Sequence, residues 1–267
     1  MDVFGAGCTP LDRALAYPYP RLPGSFVLVG ETAYLYAEVG PDPLRTGSLL
    51  VNGKTVAVAD FLPASDEPRV AVLAYGSNAS PAQLRNKYRD AGPVVMPTLR
   101  AEISDLDVVY APFIAYYGSV PATLAVAPGT RTEAWVQLLT ESQLERMHAS
   151  EARGVHYDYG RLTGPSAEIE GEYRPDALFA YWTCRGALAD EGGPIPLASV
   201  PTVGRKRRGL SQIEVQAWTR DLLGAQEDLA SFVRCGIESP EERARRTATL
   251  HGRAEPRGGA PFEVIAP

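Results

Sequence analysis

Two features of the sequence combine residue types that can do chemistry with a spacing that would place them well. The first is a loop of four residues at the end of the apolar run 69–75: Tyr75, Gly76, Ser77 and Asn78. Because Ser80 can cap a helix that starts just after this loop, the successive backbone amides can bind a carboxylate or an oxyanion. A glycine that only permits a tight strand-to-helix connection explains the loop equally well.

The second feature is Glu151, a carboxyl group on the apolar side of a predicted helix. Thr140-Glu-Ser-Gln143 is a capping box that opens this helix. Leu144, Met147 and Glu151 then lie on one face of it. Burial raises the pKa of a carboxyl group towards neutrality, where general acid–base catalysis is most effective. The alternative is a helix-end glutamate that pairs with Arg153 at the surface.

Other catalytic and metal-binding signatures are missing from the sequence. There is no G-x-S-x-G motif, and His148, His156 and His251 have no metal-ligand spacing. We therefore expect no metal site, and we expect the histidines to be ordinary polar residues. Residues 47–55 imitate a phosphate-binding loop but have five residues between the glycines where that motif has four, so a hairpin is the better interpretation.

The composition is that of a globular protein without an excess of positive charge. The 267 residues include 26 Lys and Arg against 32 Asp and Glu, a formal charge of −6, which disfavours binding to nucleic acid or anionic lipid. No apolar run reaches the roughly 20 residues of a membrane span, and no signal peptide is evident. We therefore expect a cytoplasmic protein that binds neither partner. Cys8, Cys184 and Cys235 have no C-x-x-C spacing and predict neither disulfides nor a zinc site.

Short strands and helices must position the loop and the glutamate. β-branched and aromatic runs predict strands at 25–29, 32–36, 69–75, 108–110, 122–126, 133–139, 156–159 and 177–182. Helix-start signals predict helices from 80, over 140–152, over 211–224, over 229–235 and from 239. Asn52-Gly53 between two apolar stretches predicts a hairpin with a type I′ turn.

The loop and the glutamate together resemble the γ-glutamylcyclotransferase family. In that family a strand that ends in Y-G-S-N leads into a helix, as Leu73–Asn78 does here. The later stretch from Trp135 to Glu151, with Tyr157 six residues on, is similar to the family's strand, helix and catalytic glutamate. Tyr181 falls where the family has a pocket tyrosine.

The resemblance covers about residues 69 to 185 and implies both a fold and a reaction. The fold would be α+β, a small, mostly antiparallel β-barrel with flanking helices. The predicted domains are a β-rich N-terminal extension at 1–68, the core at 69–205 and a helical C-terminal segment at 206–267. In the reaction the α-amine of a small γ-glutamyl compound attacks the side-chain carbonyl, which releases 5-oxoproline and an amine without a metal or a cofactor.

The resemblance also implies roles for individual residues. Glu151 would be the catalytic proton shuttle, and the amides of the loop would hold the substrate carboxylate or the developing oxyanion. Substrate binding is expected from six residues: Tyr75, Gly76, Ser77, Asn78, Tyr157 and Tyr181.

Two other functions remain open at this point. The chain could be a ligand-binding barrel without turnover, or an acyl hydrolase that uses Cys184 with a histidine elsewhere in the fold. A basic run over 203–209 is expected to be a solvated surface loop. The alternative is that this run and the N-terminal hairpin cover the cleft and select an acidic or phosphorylated amine.

Overall fold

The computed structural model, in which residues 4–5, 7–164 and 166–266 are described, contains strands and helices grouped in runs, with a large, mostly antiparallel sheet. The predicted α+β class is therefore confirmed. The helices are α1 (Pro10–Leu15), α2 (Val58–Phe61), α3 (Pro81–Tyr88), α4 (Glu141–Ser150), α5 (Gln212–Leu222), α6 (Leu229–Glu238) and α7 (Pro240–His251). The strands are β1 (Phe26–Val29), β2 (Thr32–Val39), β3 (Gly47–Val51), β4 (Lys54–Ala57), β5 (Val70–Ala74), β6 (Val95–Tyr110), β7 (Ala122–Leu139), β8 (Tyr157–Leu162), β9 (Ala167–Ile169), β10 (Leu178–Thr183), β11 (Ala187–Asp190), β12 (Gly193–Pro194), β13 (Thr202–Val203), β14 (Ala254–Glu255) and β15 (Phe262–Val264).

The chain forms two compact units, each assembled from separate stretches. The first comprises Met1–Tyr19, Asp105–Thr132 and Trp182–Ala260. The second comprises Pro20–Ser104, Glu133–Tyr181 and Pro261–Pro267. The division into domains at residues 68 and 205 stays a prediction. The loop at 75–78 and Glu151 both belong to the second unit.

The second unit is built on a large, mostly antiparallel sheet. Its strand order is β15-β8-β10-β5-β7-β6-β1-β2-β3-β4. β5 pairs antiparallel with β7, with Leu73 opposite Val136, and parallel with β10, with Val72 opposite Phe179. Neighbours on both sides explain why β5 is a continuous apolar run that is almost fully buried. The loop therefore leaves the sheet from one of its inner strands.

The β-barrel implied by the resemblance is wrong for this sheet, which stays open. In the described part of the chain the strand order ends at β15 and at β4 without closing. The reason lies in the N-terminal segment, because β1 pairs with β6, with Val27 opposite Pro97. The N-terminal strands thus lengthen the sheet at the edge of β6, so this β-rich segment is part of the same sheet as β5.

The predicted type I′ hairpin is confirmed. β3 and β4 pair antiparallel, with Leu49 opposite Val56. Asn52 and Gly53 have φ angles of 50° and 75°, and positive φ at both central positions is what a type I′ turn requires. The extended part ends at Ala57, where the chain enters α2.

The first unit contains most of the helices. α5 begins with the predicted capping box, in which the hydroxyl of Ser211 accepts the amide of Glu214. α6 and α7 are joined by Arg246, whose guanidinium is buried and donates to the carbonyl of Phe232 at 2.6 Å and to Glu242 at 2.7 Å. None of the helices in residues 4–5, 7–164 and 166–266 is long and apolar enough to cross a membrane.

Candidate active site

The loop after β5 forms the predicted connection from strand to helix. Gly76 leads into a single 3-10 turn over Ser77–Ala79, and Ser80 occupies the N-cap position of α3. The φ of Gly76 is −100° and its ψ is −137°, which lies outside the left-handed region and outside the extended and helical regions that most residues adopt.

The carbonyl groups of this loop are all satisfied within the second unit. Arg21 Nη2 donates to the carbonyl of Tyr75 at 2.7 Å, and Gln137 Nε2 donates to that of Asn78 at 2.9 Å. Those of Gly76 and Ser77 accept the backbone amides of Ala79 and Ser80, at 3.2 and 3.0 Å. The loop is therefore fixed by Arg21 from the segment before β1, by Gln137 of the neighbouring strand β7 and by its own turn.

Three consecutive backbone N–H groups of the loop differ from its carbonyl groups. The N–H groups of Gly76, Ser77 and Asn78 donate to no acceptor among the described residues. Gly76 is buried, and the other two residues are half-buried. Buried backbone amides almost always have an acceptor, so this segment is unusually rich in available donors. Such a segment can bind an anionic oxygen.

Glu151 lies against this loop at the C-terminal end of α4. Its Oε1 accepts a hydrogen bond from Asn78 Nδ2 at 3.0 Å and also contacts the ammonium of Lys87. Oε2 accepts no hydrogen bond in the described part of the chain, and 15% of the side chain is exposed. Two sequence features that lie 73 residues apart thus meet in space.

The alternative partner considered for Glu151 does not pair with it. Arg153 Nη2 instead donates to the carbonyls of Ile265 and Ala266, at 2.9 and 2.6 Å, and its guanidinium lies over the ring of Tyr159. Arg153 therefore ties the C-terminal strand to the turn after α4.

Lys87 is a residue of this site that the sequence analysis missed. Its side chain is only 8% exposed. Its Nζ contacts the carboxylate of Glu151 and lies 3.5 Å from the sulfur of Met147. α3 is fastened to α4 by Tyr88 Oη, which donates to the carbonyl of Gln143 at 2.8 Å. A signal existed in the sequence, because Lys87 directly precedes Tyr88 on the buried side of a short helix, where a lysine needs a partner.

The tyrosines of the site form a hydrogen-bonded group with a histidine. Tyr75 Oη donates to the carbonyl of Tyr181, and Tyr181 Oη is hydrogen-bonded to His148 Nδ1 at 2.7 Å. Burial, and then the negative charge of Glu151, raises the pKa of Tyr181, so its hydroxyl stays protonated. Burial, and then the charge of Arg153, lowers the pKa of His148.

β8 supplies two further aromatic residues. Tyr157 is buried at the start of the strand, and its carbonyl accepts the amide of Gly154 at 2.8 Å, which closes the turn after α4. Tyr159, two residues on and so on the same face, packs against His148 and Tyr181 with ring centroids 4.6 and 5.3 Å apart. The sequence analysis named Tyr157 but not Tyr159.

The basic run at 203–209 lies in the first unit, and most of its charge is neutralised there. Arg205 pairs with Asp107, and both side chains are largely buried. Two further ion pairs join the run to its unit: Arg207 with Asp190, and Arg208 with Glu214. The idea that this run selects an acidic amine therefore loses most of its physical basis.

The described residues hold no candidate metal site either. Among residues 4–5, 7–164 and 166–266, no group of three or more His, Cys, Asp or Glu side chains could hold a metal ion. The three cysteines, all within these ranges, form no disulfide.

Comparison with known proteins gives little beyond this geometry. No protein-family model matches the sequence, and no curated protein matches it. Solved structures to which the chain is similar include one described as "Gamma-glutamyl cyclotransferase". The match has 12% identity and a TM-score of 0.34, and it covers 71% of this chain and 90% of that one. A likeness of this size says nothing about the chemistry of the chain.

Proposed function

We propose that the chain is a cyclotransferase that cleaves a γ-glutamyl amide through attack by the α-amine of the substrate itself, releasing 5-oxoproline and a free amine. The observation that carries this proposal is the 3.0 Å hydrogen bond from Asn78 Nδ2 to Glu151 Oε1. It joins a loop with available amide donors to a carboxylate, and this reaction needs both. The proposal draws further support from the sequence resemblance of these two segments to the γ-glutamylcyclotransferase family.

The loop would hold the anionic oxygen that forms during the reaction. Attack on the γ-carbonyl converts its oxygen into an oxyanion, which fixed N–H donors in a partly dry site stabilise. The amides of Gly76, Ser77 and Asn78 have no acceptor within the described chain and could supply such donors. The α-carboxylate of the substrate is the other group that these amides could bind.

Glu151 would take the proton from the attacking amine. Its Oε2 accepts no hydrogen bond from the described residues, so this oxygen is available to the substrate, whereas Oε1 is engaged by Asn78 and Lys87. The α-amine and the γ-carbonyl belong to one molecule, so ring closure needs only a pocket that folds the substrate into the reactive geometry. No enzyme nucleophile takes part in this scheme.

The remaining binding residues would shape the pocket. Tyr181 presents a protonated hydroxyl beside His148, and Tyr75 contributes by holding the backbone of β10. Tyr157 stays in the proposal as a buried aromatic residue of β8. Their common role would be to enclose the glutamyl unit between aromatic walls with a few polar groups.

The test is mass-spectrometric detection of 5-oxoproline from a panel of γ-glutamyl peptides and amines. We expect the wild-type chain to release it, and Glu151→Gln to lower kcat by at least about 10²-fold, the effect of removing a general acid–base group. Glu145→Gln is the matched control, because Glu145 is an exposed residue of the same helix. If no member of the panel is turned over while 5-oxoproline still raises the Tm, the chain is a binding protein and the proposal is wrong.

A further inference from the structure

Lys87 gives the candidate site a second proton-carrying group. Its ammonium contacts Oε1 of Glu151, and only 8% of the lysine side chain is exposed. Its position is fixed from both helices, because Arg146 Nε of α4 donates to the backbone carbonyl of Lys87. The lysine is therefore held on the carboxylate and is not a mobile surface residue.

The proposed cyclisation needs two proton transfers in opposite directions. The attacking nitrogen must lose a proton, and the departing nitrogen must gain one, because an alkylamide anion is too basic to leave by itself. A single carboxylate would have to perform both transfers in turn. A carboxylate in contact with an ammonium can accept one proton while it provides the other.

We infer that Lys87 is the general acid of this site, an inference that rests on the proposed cyclotransferase function. The α-amine nitrogen forms a bond to the γ-carbon while one of its protons passes to Oε2 of Glu151. The bond from that carbon to the departing nitrogen breaks, its electron pair stays on the nitrogen, and Lys87 supplies the proton. The carboxylic acid of Glu151 then returns its proton to the neutral lysine, which restores the ion pair.

The net change is the movement of one proton from the attacking to the departing nitrogen, and no water is consumed. The α-amine must be neutral to attack the γ-carbon. The ammonium of Lys87 disfavours the protonated form of this amine, whereas the carboxylate of Glu151 favours it. Met147, whose sulfur lies 3.5 Å from Nζ, gives the ammonium an apolar neighbour rather than a second anion.

The test compares two leaving groups. 4-Nitroaniline departs from carbon without prior protonation, because its ring delocalises the nitrogen electron pair, whereas butylamine needs a proton. We expect Lys87→Met to lower kcat/KM for γ-glutamyl butylamide by about 10²- to 10⁴-fold, and for γ-glutamyl 4-nitroanilide by no more than about threefold. Arg85→Met, on the exposed side of the same helix, is the control and should leave both substrates unaffected.

A second variant separates charge from proton transfer and guards against a folding defect. Lys87→Arg keeps a cation on Glu151, but a guanidinium does not lose its proton in proteins. We expect this variant to show the same selective loss on the butylamide. Equal losses on both substrates, or full activity of Lys87→Arg on the butylamide, would overturn the role of Lys87 while leaving the cyclotransferase standing. A wild-type chain that releases 5-oxoproline from neither substrate would instead overturn the proposed function itself, and this inference with it.

Discussion

Removal of one charge from the Lys87–Glu151 pair should destabilise the protein about as much as removal of both. The two side chains are 8% and 15% exposed, and loss of one partner from a buried pair costs about 3–5 kcal/mol. Lys87→Met leaves a carboxylate that keeps some solvent contact and the hydrogen bond from Asn78. We therefore expect a loss of about 2–3 kcal/mol, below the range for a fully buried charge.

A double-mutant cycle turns this expectation into a coupling energy. Glu151→Gln alone leaves the ammonium facing a neutral amide and should cost about 2 kcal/mol, and the double variant should cost little more than either single change. The coupling energy should then be about 2 kcal/mol. Urea unfolding followed by circular dichroism at pH 7.5 gives the four free energies of unfolding.

The Arg100–Glu133 pair provides the matched control in the same unit. Its side chains are 50% and 19% exposed, so water screens it, and a coupling energy below about 1 kcal/mol is expected. Added salt at 0.5 M should weaken this exposed pair and leave the buried pair nearly unchanged. A Lys87–Glu151 coupling below about 0.5 kcal/mol, or one as sensitive to salt as the control, would refute the ion pair.

Three further predictions concern other hydrogen-bonded and ion-paired side chains. Tyr181→Phe should cost about 1–2 kcal/mol because His148 Nδ1 loses its partner, and an unchanged urea midpoint would mean that the hydrogen bond is not formed. Burial lowers the pKa of His148 below 6.5 in the folded state, so the unfolded chain binds the proton first, and stability that is complete above pH 6.5 falls on acidification. His148→Phe should flatten the stability profile between about pH 7 and 5, and an unchanged slope would contradict this. Arg205→Met should cost about 3 kcal/mol because Asp107, 7% exposed, loses its cation, and a loss below about 1 kcal/mol would show that the pair contributes little.

Local signals in the sequence were enough to predict several elements. The Asn52-Gly53 turn and the capping box at Thr140 depend on neighbouring residues alone, and both form as predicted. The meeting of Asn78 with Glu151 was accessible only through the resemblance, since 73 residues separate them. The short helix α1 was not predicted, although its capping box at Thr9 is a local signal, because it lies in a segment rich in proline and glycine.

Tertiary pairing decided what the sequence left undetermined. β6 runs unbroken over Val95–Tyr110, although only 108–110 has the pattern of a strand, because partners on both sides satisfy its backbone. The open sheet follows from the pairing of β1 with β6, which no local pattern encodes. The partner of Lys87 could be identified only once α3 was packed on α4, since Glu151 lies 64 residues away in the sequence.

The central claim is internal attack by the α-amine, and isotope labelling tests it most directly. A γ-glutamyl amide is incubated with the protein in H₂¹⁸O, and the glutamyl product is analysed by mass spectrometry. Cyclisation forms the new bond within the substrate, so we predict 5-oxoproline without ¹⁸O, in equal amount to the released amine. Hydrolysis, including hydrolysis through a Cys184 acyl-enzyme, would instead add water at the γ-carbonyl. Glutamate carrying one ¹⁸O atom in its side chain would contradict the account.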